Sequence, residues 1–301
     1  MASISSIAEA LLSPSPLVLL LGIIIIIGAP LLQHIILARS NAYTTPPTVL
    51  LLGPDGAGKT SLLSLLERAS SGSTENNSAT GPAATHTSQT TQTIELSCST
   101  DSDTATSFRS PDDATGTHTK FLLVDTPGHG KLRNVALGKL RRAEKLRAVV
   151  FVVDAAVLGE HDALASAASY LHDVLLSLQR RAGSGDRAKA QGAPVPVLVA
   201  ANKTDLFTAI PAAMAKTKLE AELTRIRATR SKGLLDSGVG ADDVDAGQEH
   251  DSWLGEYGSE KFAFKQMHEF DIDVEVLPGN VIGDGPGADK WWWWIAQRVS
   301  H

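Results

Sequence analysis

Short apolar runs alternate with longer amphipathic stretches over most of the chain. The runs are rich in β-branched residues, as buried parallel strands are, and they lie at 48–52, 121–124, 148–153, 195–200 and 273–277. Helical patterns are found at 61–68, 163–181 and 212–230, and a weakly alternating stretch at 91–96 predicts an edge strand. Strands that alternate with helices in this way predict an α/β fold with a central, mostly parallel sheet.

A much longer apolar run precedes this pattern. Residues 17–38 read LVLLLGIIIIIGAPLLQHIILA and carry no charge, and about 20 apolar residues are enough for a helix to cross a bilayer. The run therefore predicts one N-terminal transmembrane helix, preceded by a short tail of residues 1–16. A cleaved signal peptide would need a positive leading segment, but residues 1–16 contain no Lys or Arg. A buried core helix is the other alternative. Arg39 directly after the run favours a cytosolic C-terminal side.

Two polar segments interrupt the remaining domain, which is predicted over residues 45–301. Ser and Thr make up 23 of the 50 residues from 70 to 119, a composition too poor in large apolar side chains to offset the entropy of ordering. Residues 231–258 are rich in Gly, Asp and Ser. Both segments are interpreted as polar insertions in one domain.

Composition excludes several classes of protein. The formal net charge is −6 and Cys98 is the single cysteine, so the chain contains neither a disulfide framework nor a cysteine-rich zinc module. A nucleic-acid-binding protein is usually basic, and no direct nucleic-acid binding is predicted here. The mean hydropathy of zero is the average of an apolar segment, polar insertions and an ordinary core.

The first predicted strand leads directly into a phosphate-binding motif. Residues 53–60 read GPDGAGKT and match G-x-x-x-x-G-K-[ST] without a mismatch. In this motif backbone N–H groups surround the phosphates at the start of a helix. Lys59 is expected to reach the β- and γ-phosphates, and the Thr60 hydroxyl to bind Mg²⁺. The candidate residues of this loop are Gly53, Asp55, Gly56, Ala57, Gly58, Lys59, Thr60 and Ser61.

A second motif ends the strand at 121–124. Residues 125–129 read DTPGH, which is D-x-x-G followed by histidine. Asp125 is expected to hold Mg²⁺ through water, as a Walker-B acid does, and Gly128 to place a backbone N–H near the γ-phosphate. His129 stands where many GTPases carry the glutamine that orients water, which makes it a candidate catalytic residue.

A third motif predicts which base is bound. Asn202, Lys203 and Asp205 form N-K-x-D at the end of a predicted strand. A carboxylate at Asp205 can accept hydrogen bonds from guanine N1–H and its 2-amino group, which adenine does not offer in that place. Three motifs in this order, each at a strand end, predict a guanine nucleotide site at the carboxyl edge of the sheet.

Together these motifs resemble a small GTPase of the P-loop NTPase superfamily. The apolar N-terminus, the run DTPGHGKLR from Asp125 and the run FVVDA from Phe151 resemble the β subunits of signal recognition particle receptors. The resemblance implies an Arf-like GTPase anchored in the endoplasmic reticulum membrane, with GTP or GDP and Mg²⁺ as ligands and the receptor α subunit as partner. It also implies a role in co-translational protein targeting.

The resemblance further assigns residues by position. Among the hydroxyls of 85–91, Thr87 is favoured as the Mg²⁺ ligand from switch I, and Gly279 lies where the family has its guanine-contacting loop, although PGN replaces the usual S-A or C-A there. Lys131 and Arg133 are either partner contacts or part of a solvated helix face. Of the four tryptophans at 291–294, one or two are expected to anchor a terminal helix.

The sequence supports three hypotheses about function. The first is a membrane-anchored GTPase switch that hydrolyses GTP slowly, since no arginine finger can be named. The second is a structural membrane tether locked in the GTP form. The third is an Arf- or Sar-like vesicle-coat GTPase, a class that uses an amphipathic helix or a lipid in place of a spanning helix.

Overall fold

The structure is a computed structural model that describes residues 46–70, 84–99, 118–143, 145–183, 194–236, 253–283 and 287–300, with positions 16, 26–30 and 33 nearer the N-terminus. The chain divides into two compact units, Met1–Thr45 and Pro46–His301. In the first unit the described positions are helical, and Ile26 and Ile27 are exposed. Most of the predicted span 17–38 lies outside the described residues. Within those that are described, no helix combines the length and apolar character needed to cross a bilayer.

In the described part of the second unit, six strands form one sheet with helices on both faces. The strands are β1 (Thr48–Leu52), β2 (Gln92–Ser99), β3 (His118–Asp125), β4 (Leu146–Asp154), β5 (Val197–Asn202) and β6 (Val274–Pro278). The helices are α1 (Lys59–Ser70), α2 (Arg133–Arg142), α3 (His161–Gly183), α4 (Ala212–Asp236) and α5 (Asp289–Ser300). Short 3₁₀ helices occur at Gly130–Leu132 and Phe264–Phe270.

The strand order is β2-β3-β1-β4-β5-β6, and every neighbouring pair is parallel except β2 with β3. The predicted α/β fold with a mostly parallel sheet is therefore confirmed. The edge-strand pattern at 91–96 corresponds to β2, which among the described strands hydrogen-bonds to β3 alone and carries the polar side chains that an edge allows. This strand lies within the segment 70–119 that its composition predicts to be mostly loop.

Side chains of the central strands alternate between two cores, as the two-residue period of a strand requires. Leu50 and Leu52 point into the core that includes α2, α3 and α4, whereas Val49 and Leu51 point into the core beneath α1 and α5. Because both faces of the sheet are covered by helices, the central strands β1, β4 and β5 are mainly apolar on both faces.

Helix α4 extends beyond its predicted end. The polar composition after residue 230 predicts a loop over 231–258, but the helix continues to Asp236, since Ser, Lys and Leu are tolerated in a last helical turn. Residues 237–252 lie outside the described part of the chain. At the far end of the segment, Leu254 is buried in the core.

Three of the four consecutive tryptophans anchor α5, more than the one or two expected. Trp291, Trp292 and Trp294 are buried, whereas Trp293 is 42% exposed. Trp291 donates to the carbonyl of Leu277 and Trp294 to the Glu275 carboxylate. The last helix is thereby joined to β6, the strand that leads into the candidate site.

Candidate functional site

A cleft of about 460 Å³ lies at the carboxyl ends of the parallel strands. This is the place where open α/β sheets bind ligands, because the strand order reverses there and the loops diverge. Among the described residues its walls are formed by Asp55, Gly56, Gly58, Lys59, Thr60, Ser61, Thr85, His86, Thr87, Ser88, Gly128, Asn202, Lys203, Asp205, Leu206, Val281 and Ile282. The three motifs, far apart in sequence, thus meet around one cavity.

The loop between β1 and α1 adopts a conformation that depends on glycine. Gly53, Gly56 and Gly58 have φ values of 138°, 72° and 99°. A Cβ on Gly53 would lie 2.2 Å from the carbonyl oxygen of Val152, and one on Gly58 would lie 2.3 Å from Asn202 Nδ2. Gly53 and the buried Ala57 form the base of the loop, whereas Asp55, Gly56 and Gly58 face the cleft.

Lys59 is a buried cation at the start of α1. Its side chain is 5% exposed, and its amine donates to the carbonyl of Pro54 at 2.8 Å. Burial lowers the pKa of Lys59 below its ordinary value, while the negative charges of Asp125 and Asp55 act in the opposite direction. A Cβ on Gly128 would lie 2.4 Å from the amine, so Lys59 lies between the loop and the second motif.

Three oxygen-bearing side chains meet beside this amine. Thr60 Oγ1 donates to Asp125 Oδ2 at 2.6 Å, and Ser88 Oγ lies 2.6 Å from Thr60 Oγ1 and 3.2 Å from the same carboxylate oxygen. Thr87 lines the same cleft, but it is the neighbouring Ser88 that reaches this pair. Sequence reasoning missed Ser88, since several adjacent hydroxyls in 85–91 are equivalent until the chain is folded.

Asp125 carries the signature of a cation ligand. Its side chain is fully buried, and its Oδ1 atom has no hydrogen-bond partner among the residues that the structure describes. Burial raises the pKa of Asp125, and the hydrogen bond from Thr60 and the charge of Lys59 oppose that rise. A buried carboxylate oxygen without a donor is costly, and hydroxyl and carboxylate oxygens are suitable ligands for Mg²⁺. The residues present therefore fit a small divalent cation.

His129 lies apart from the cleft. Its side chain is exposed, it caps the turn Gly130–Leu132, and its Nδ1 accepts a hydrogen bond from the backbone N–H of Lys131 at 3.3 Å. Arg133 is neither free nor fully solvated. It stacks over the Tyr170 ring, with 4.9 Å from its guanidinium carbon to the ring centroid, and donates to Ser166. Arg133 thereby fixes the start of α2 against α3.

Asn202 joins three loops. It is buried, its Nδ2 donates to the Ala57 carbonyl at 2.8 Å, and its Oδ1 accepts from the N–H groups of Lys203 and Val281 at 2.8 and 3.2 Å. The phosphate motif, the N-K-x-D motif and the loop after β6 are therefore held in a fixed relation. Asp205 projects from the same loop into the cleft, with its carboxylate next to Gly283.

The loop after β6 presents residues other than Gly279 to the cleft. Gly279 lies under the site, where its carbonyl accepts from Thr204 and a Cβ would approach the Trp291 ring to 2.5 Å. The residues of this loop that face the cleft are Val281 and Ile282. The buried Asn280 closes the loop by donating to the carbonyls of Ile282 and Gly283, which explains why asparagine is suitable there.

The strand order of the sheet, the glycine-rich loop after β1 and the cluster of hydroxyl and carboxylate oxygens are those of a P-loop protein with the small-GTPase fold. The sequence model of the family "Signal recognition particle receptor beta subunit" matches residues 44–270. The chain belongs to the signal recognition particle receptor β subunit family.

Individual relatives agree with this assignment. The β subunit of Saccharomyces cerevisiae is 29% identical over 189 residues, which cover 62% of this chain and 61% of the relative. Among solved structures, the Chaetomium thermophilum SRb-GTP/SRX complex is similar with a TM-score of 0.69 and 43% identity, covering 84% of this chain and all of the other. The SRb-GDP-Mg form from the same organism gives a TM-score of 0.59 and 41% identity, over 86% of this chain and all of the other. The chain spans about three fifths of the yeast relative that it matches.

Proposed function

We propose that this chain binds GTP and GDP with Mg²⁺ as the β subunit of a signal recognition particle receptor. The observation that carries the proposal is the single cleft in which a phosphate loop, a hydroxyl–carboxylate cluster and an N-K-x-D loop converge. Solved relatives named as SRb-GTP and SRb-GDP-Mg support the choice of ligands.

Each group has a part that follows from its position. Backbone N–H groups of the loop 53–58 and the start of α1 bind phosphate oxygens, and the buried Lys59 amine supplies positive charge beside them. Thr60, Asp125 and Ser88 hold the cation, with Thr87 as the alternative hydroxyl. The cation neutralises phosphate charge when it is bound. The Gly128 N–H lies on the γ-phosphate side.

The base is bound at the other end of the cleft. The Asp205 carboxylate accepts from guanine, Asn202 holds the surrounding loops, and the Lys203 stem forms one wall. Gly279 acts from beneath by positioning the loop that carries Val281 and Ile282.

Measuring affinity for GTP and ATP tests the base assignment. The chain is expected to bind GTP far more tightly, and Asp205→Asn to weaken guanine binding while improving xanthine binding. A chain that binds ATP and GTP equally well would defeat the assignment. Asp162→Asn, an exposed carboxylate on α3, is the matched control.

The proposed role continues with an α subunit and a membrane. The Chaetomium thermophilum relative was solved with SRX, which supports a receptor α subunit as partner. The apolar run 17–38 supports anchoring in the endoplasmic reticulum membrane with residues 45–301 in the cytosol. Binding of the α subunit in the GTP form but not the GDP form would support a switch. If carbonate releases the full chain from membranes, the membrane anchor is contradicted and the hypothesis of an Arf- or Sar-like vesicle-coat GTPase is favoured.

A GTP-locked tether is the second candidate, and the placement of His129 favours it. This side chain caps a turn outside the cleft, so its position does not place it beside a reacting water. Single-turnover hydrolysis, with and without the α subunit, separates the candidates. Acceleration that is lost in His129→Ala supports the switch, and no hydrolysis under any condition supports the tether.

A further inference from the structure

The loop after β6 is bonded to the loop that follows β5. The N–H and the hydroxyl of Thr204 both donate to the carbonyl of Gly279, at 3.2 and 2.9 Å. Two residues further on, the N–H of Val281 donates to Asn202 Oδ1 at 3.2 Å. The two loops are therefore held side by side at the point where Asp205 lines the cleft.

Three backbone donors of the loop after β6 are already used within the protein. The N–H of Gly279 donates to the carbonyl of Ala201 at 3.0 Å, and the N–H of Asn280 donates to the carbonyl of Gly287 at 3.3 Å. The third donor is the N–H of Val281 described above. Because these donors are not available to a bound base, base recognition depends more heavily on the carboxylate of the N-K-x-D motif.

Gly283 packs against the carboxylate of Asp205. A Cβ added to Gly283 would lie 2.7 Å from Asp205 Oδ2 and 3.3 Å from its Cγ, which is closer than a side chain could come without displacing the carboxylate. The φ of Gly283 is 89°, a conformation that favours glycine. A stretch of backbone without a side chain thus borders the carboxylate on one side.

The side chain of Asn280 fixes the position of Gly283. Asn280 is 3% exposed, and its Nδ2 donates to the carbonyls of both Ile282 and Gly283 at 3.1 Å. Its Oδ1 accepts from the N–H of Gly287 at 2.7 Å. One buried amide therefore closes the loop through both its donor and its acceptor side. Alanine at this position could form none of these three bonds.

We propose that Asn280 is a positioning residue for base selection. By fixing Gly283 beside Asp205, it holds the carboxylate in the orientation that accepts hydrogen bonds from guanine N1–H and the 2-amino group. The inference rests on the guanine nucleotide binding proposed above and deepens it. Without Asn280 the carboxylate is still present but is free to turn, so selection for the 2-amino group falls while binding of the phosphates persists.

Comparing inosine diphosphate (IDP) with GDP tests this role in the full chain, because hypoxanthine differs from guanine only in lacking the 2-amino group. The Kd for IDP is expected to exceed that for GDP by about tenfold or more. Asn280→Ala and Asn280→Asp should each lower this ratio by about threefold or more. Asn280→Asp retains an acceptor for the N–H of Gly287 but has no donor for the two carbonyls, so it isolates the donor side of the amide. Unchanged affinity for inorganic pyrophosphate shows that the phosphate loop is folded.

A matched pair of glycines tests the same contact without altering the buried asparagine. Gly283→Ala places a methyl group against the Asp205 carboxylate and should lower the IDP/GDP ratio. Gly258 has a similar φ of 79°, and no described atom beyond its chain neighbours lies within 4 Å of an added Cβ, so Gly258→Ala should leave the ratio unchanged. When Asp205 is already replaced by Asn, Gly283→Ala should produce no further change in the ratio.

The contrary results are distinguishable from one another. An unchanged ratio in Asn280 variants that still bind pyrophosphate overturns the proposal. If these variants lose pyrophosphate binding, Gly283→Ala decides, and an unchanged ratio in that variant overturns the proposal. A further fall in the ratio when Gly283→Ala is added to Asp205→Asn would place its effect elsewhere and also overturn it. Equal binding of GDP and ADP by the unaltered chain would overturn the guanine assignment itself.

Discussion

The amine of Lys203 donates a 2.5 Å hydrogen bond to Asp154 Oδ2 and so joins the N-K-x-D loop to the end of β4. The other carboxylate oxygen accepts from the N–H of Ala156, which fixes the acid at both oxygens. Lys203 itself has a left-handed backbone with φ 62°, an unusual conformation for a residue with a long side chain. The ion pair therefore stabilises a strained loop that forms a wall of the base site.

Replacing Asp154 is expected to loosen the nucleotide without removing any group that faces it. In Asp154→Asn the Lys203 amine loses its charged partner, and release of fluorescent GDP should accelerate by about tenfold, or ~1.4 kcal/mol. Stopped-flow release measures this change. Asp162→Asn serves as control, and an unchanged release rate in Asp154→Asn would show that the loop holds its shape without the pair.

The hydroxyl cluster predicts which switch residue matters for the cation. Ser88→Ala removes the oxygen that approaches Thr60 and Asp125, and the Mg²⁺ concentration needed for half-maximal GDP retention should rise roughly tenfold. Thr87→Ala should have little effect. If Thr87→Ala has the larger effect instead, the cation ligand is Thr87, which is the residue that the sequence alone favours. GDP release titrated with Mg²⁺ distinguishes the two.

Two glycines provide a matched test of packing beneath the base site. In Gly279→Ala the new methyl group would lie 2.5 Å from the Trp291 ring and 2.7 Å from the Gly287 carbonyl oxygen, and overpacking of this kind costs about 1–3 kcal/mol. In Gly138→Ala, inside α2, no described atom beyond the neighbouring helix backbone lies within 4 Å of the added carbon, so stability should rise by about 0.5–1 kcal/mol. Chemical denaturation measures both, and similar values for the two would contradict the packing argument.

A buried histidine predicts how stability depends on pH. His172 is 1% exposed and faces Arg230, Arg227 and Asp173, and burial lowers its pKa below 6.5. The unfolded chain binds a proton at His172 as pH falls below about 6.5, while the folded chain does not. As pH falls below about 6.5, the free energy of unfolding should therefore decrease. The decrease ends when the pH reaches the lowered pKa of His172 in the folded chain.

Replacing the histidine isolates this effect. His172→Gln should flatten the pH dependence of the free energy of unfolding between neutral pH and the range below 6.5. This expectation is independent of how the substitution changes stability at neutral pH. His161→Gln, an exposed histidine at the start of α3, should leave the slope as it is. Denaturant unfolding at several pH values gives the slopes, and an unaltered slope in His172→Gln would contradict the assignment.

The sequence by itself determined the strands, their order along the chain and the nucleotide motifs. A strand that is buried on both faces is apolar at successive positions, so the apolar β-branched runs predict buried strands. The observed sheet confirmed the predicted α/β fold. The phosphate-loop motif G-x-x-x-x-G-K-T could be predicted because all its residues lie in one short segment. That segment contains the end of one strand, a turn and the start of one helix. The ends of helices were less predictable, as the extension of α4 to Asp236 illustrates.

The tertiary structure decided what depends on contacts between distant segments. Which side chain of 85–91 meets Asp125 depends on how β2 pairs with β3, and a shift of one residue would replace Ser88 by Thr87 or by Gln89. The Lys203–Asp154 pair, the bond from Asn202 to Ala57 and the placement of Val281 and Ile282 in the cleft also join residues far apart in sequence. Local patterns determine which elements form, but packing of the sheet and helices determines which side chains meet.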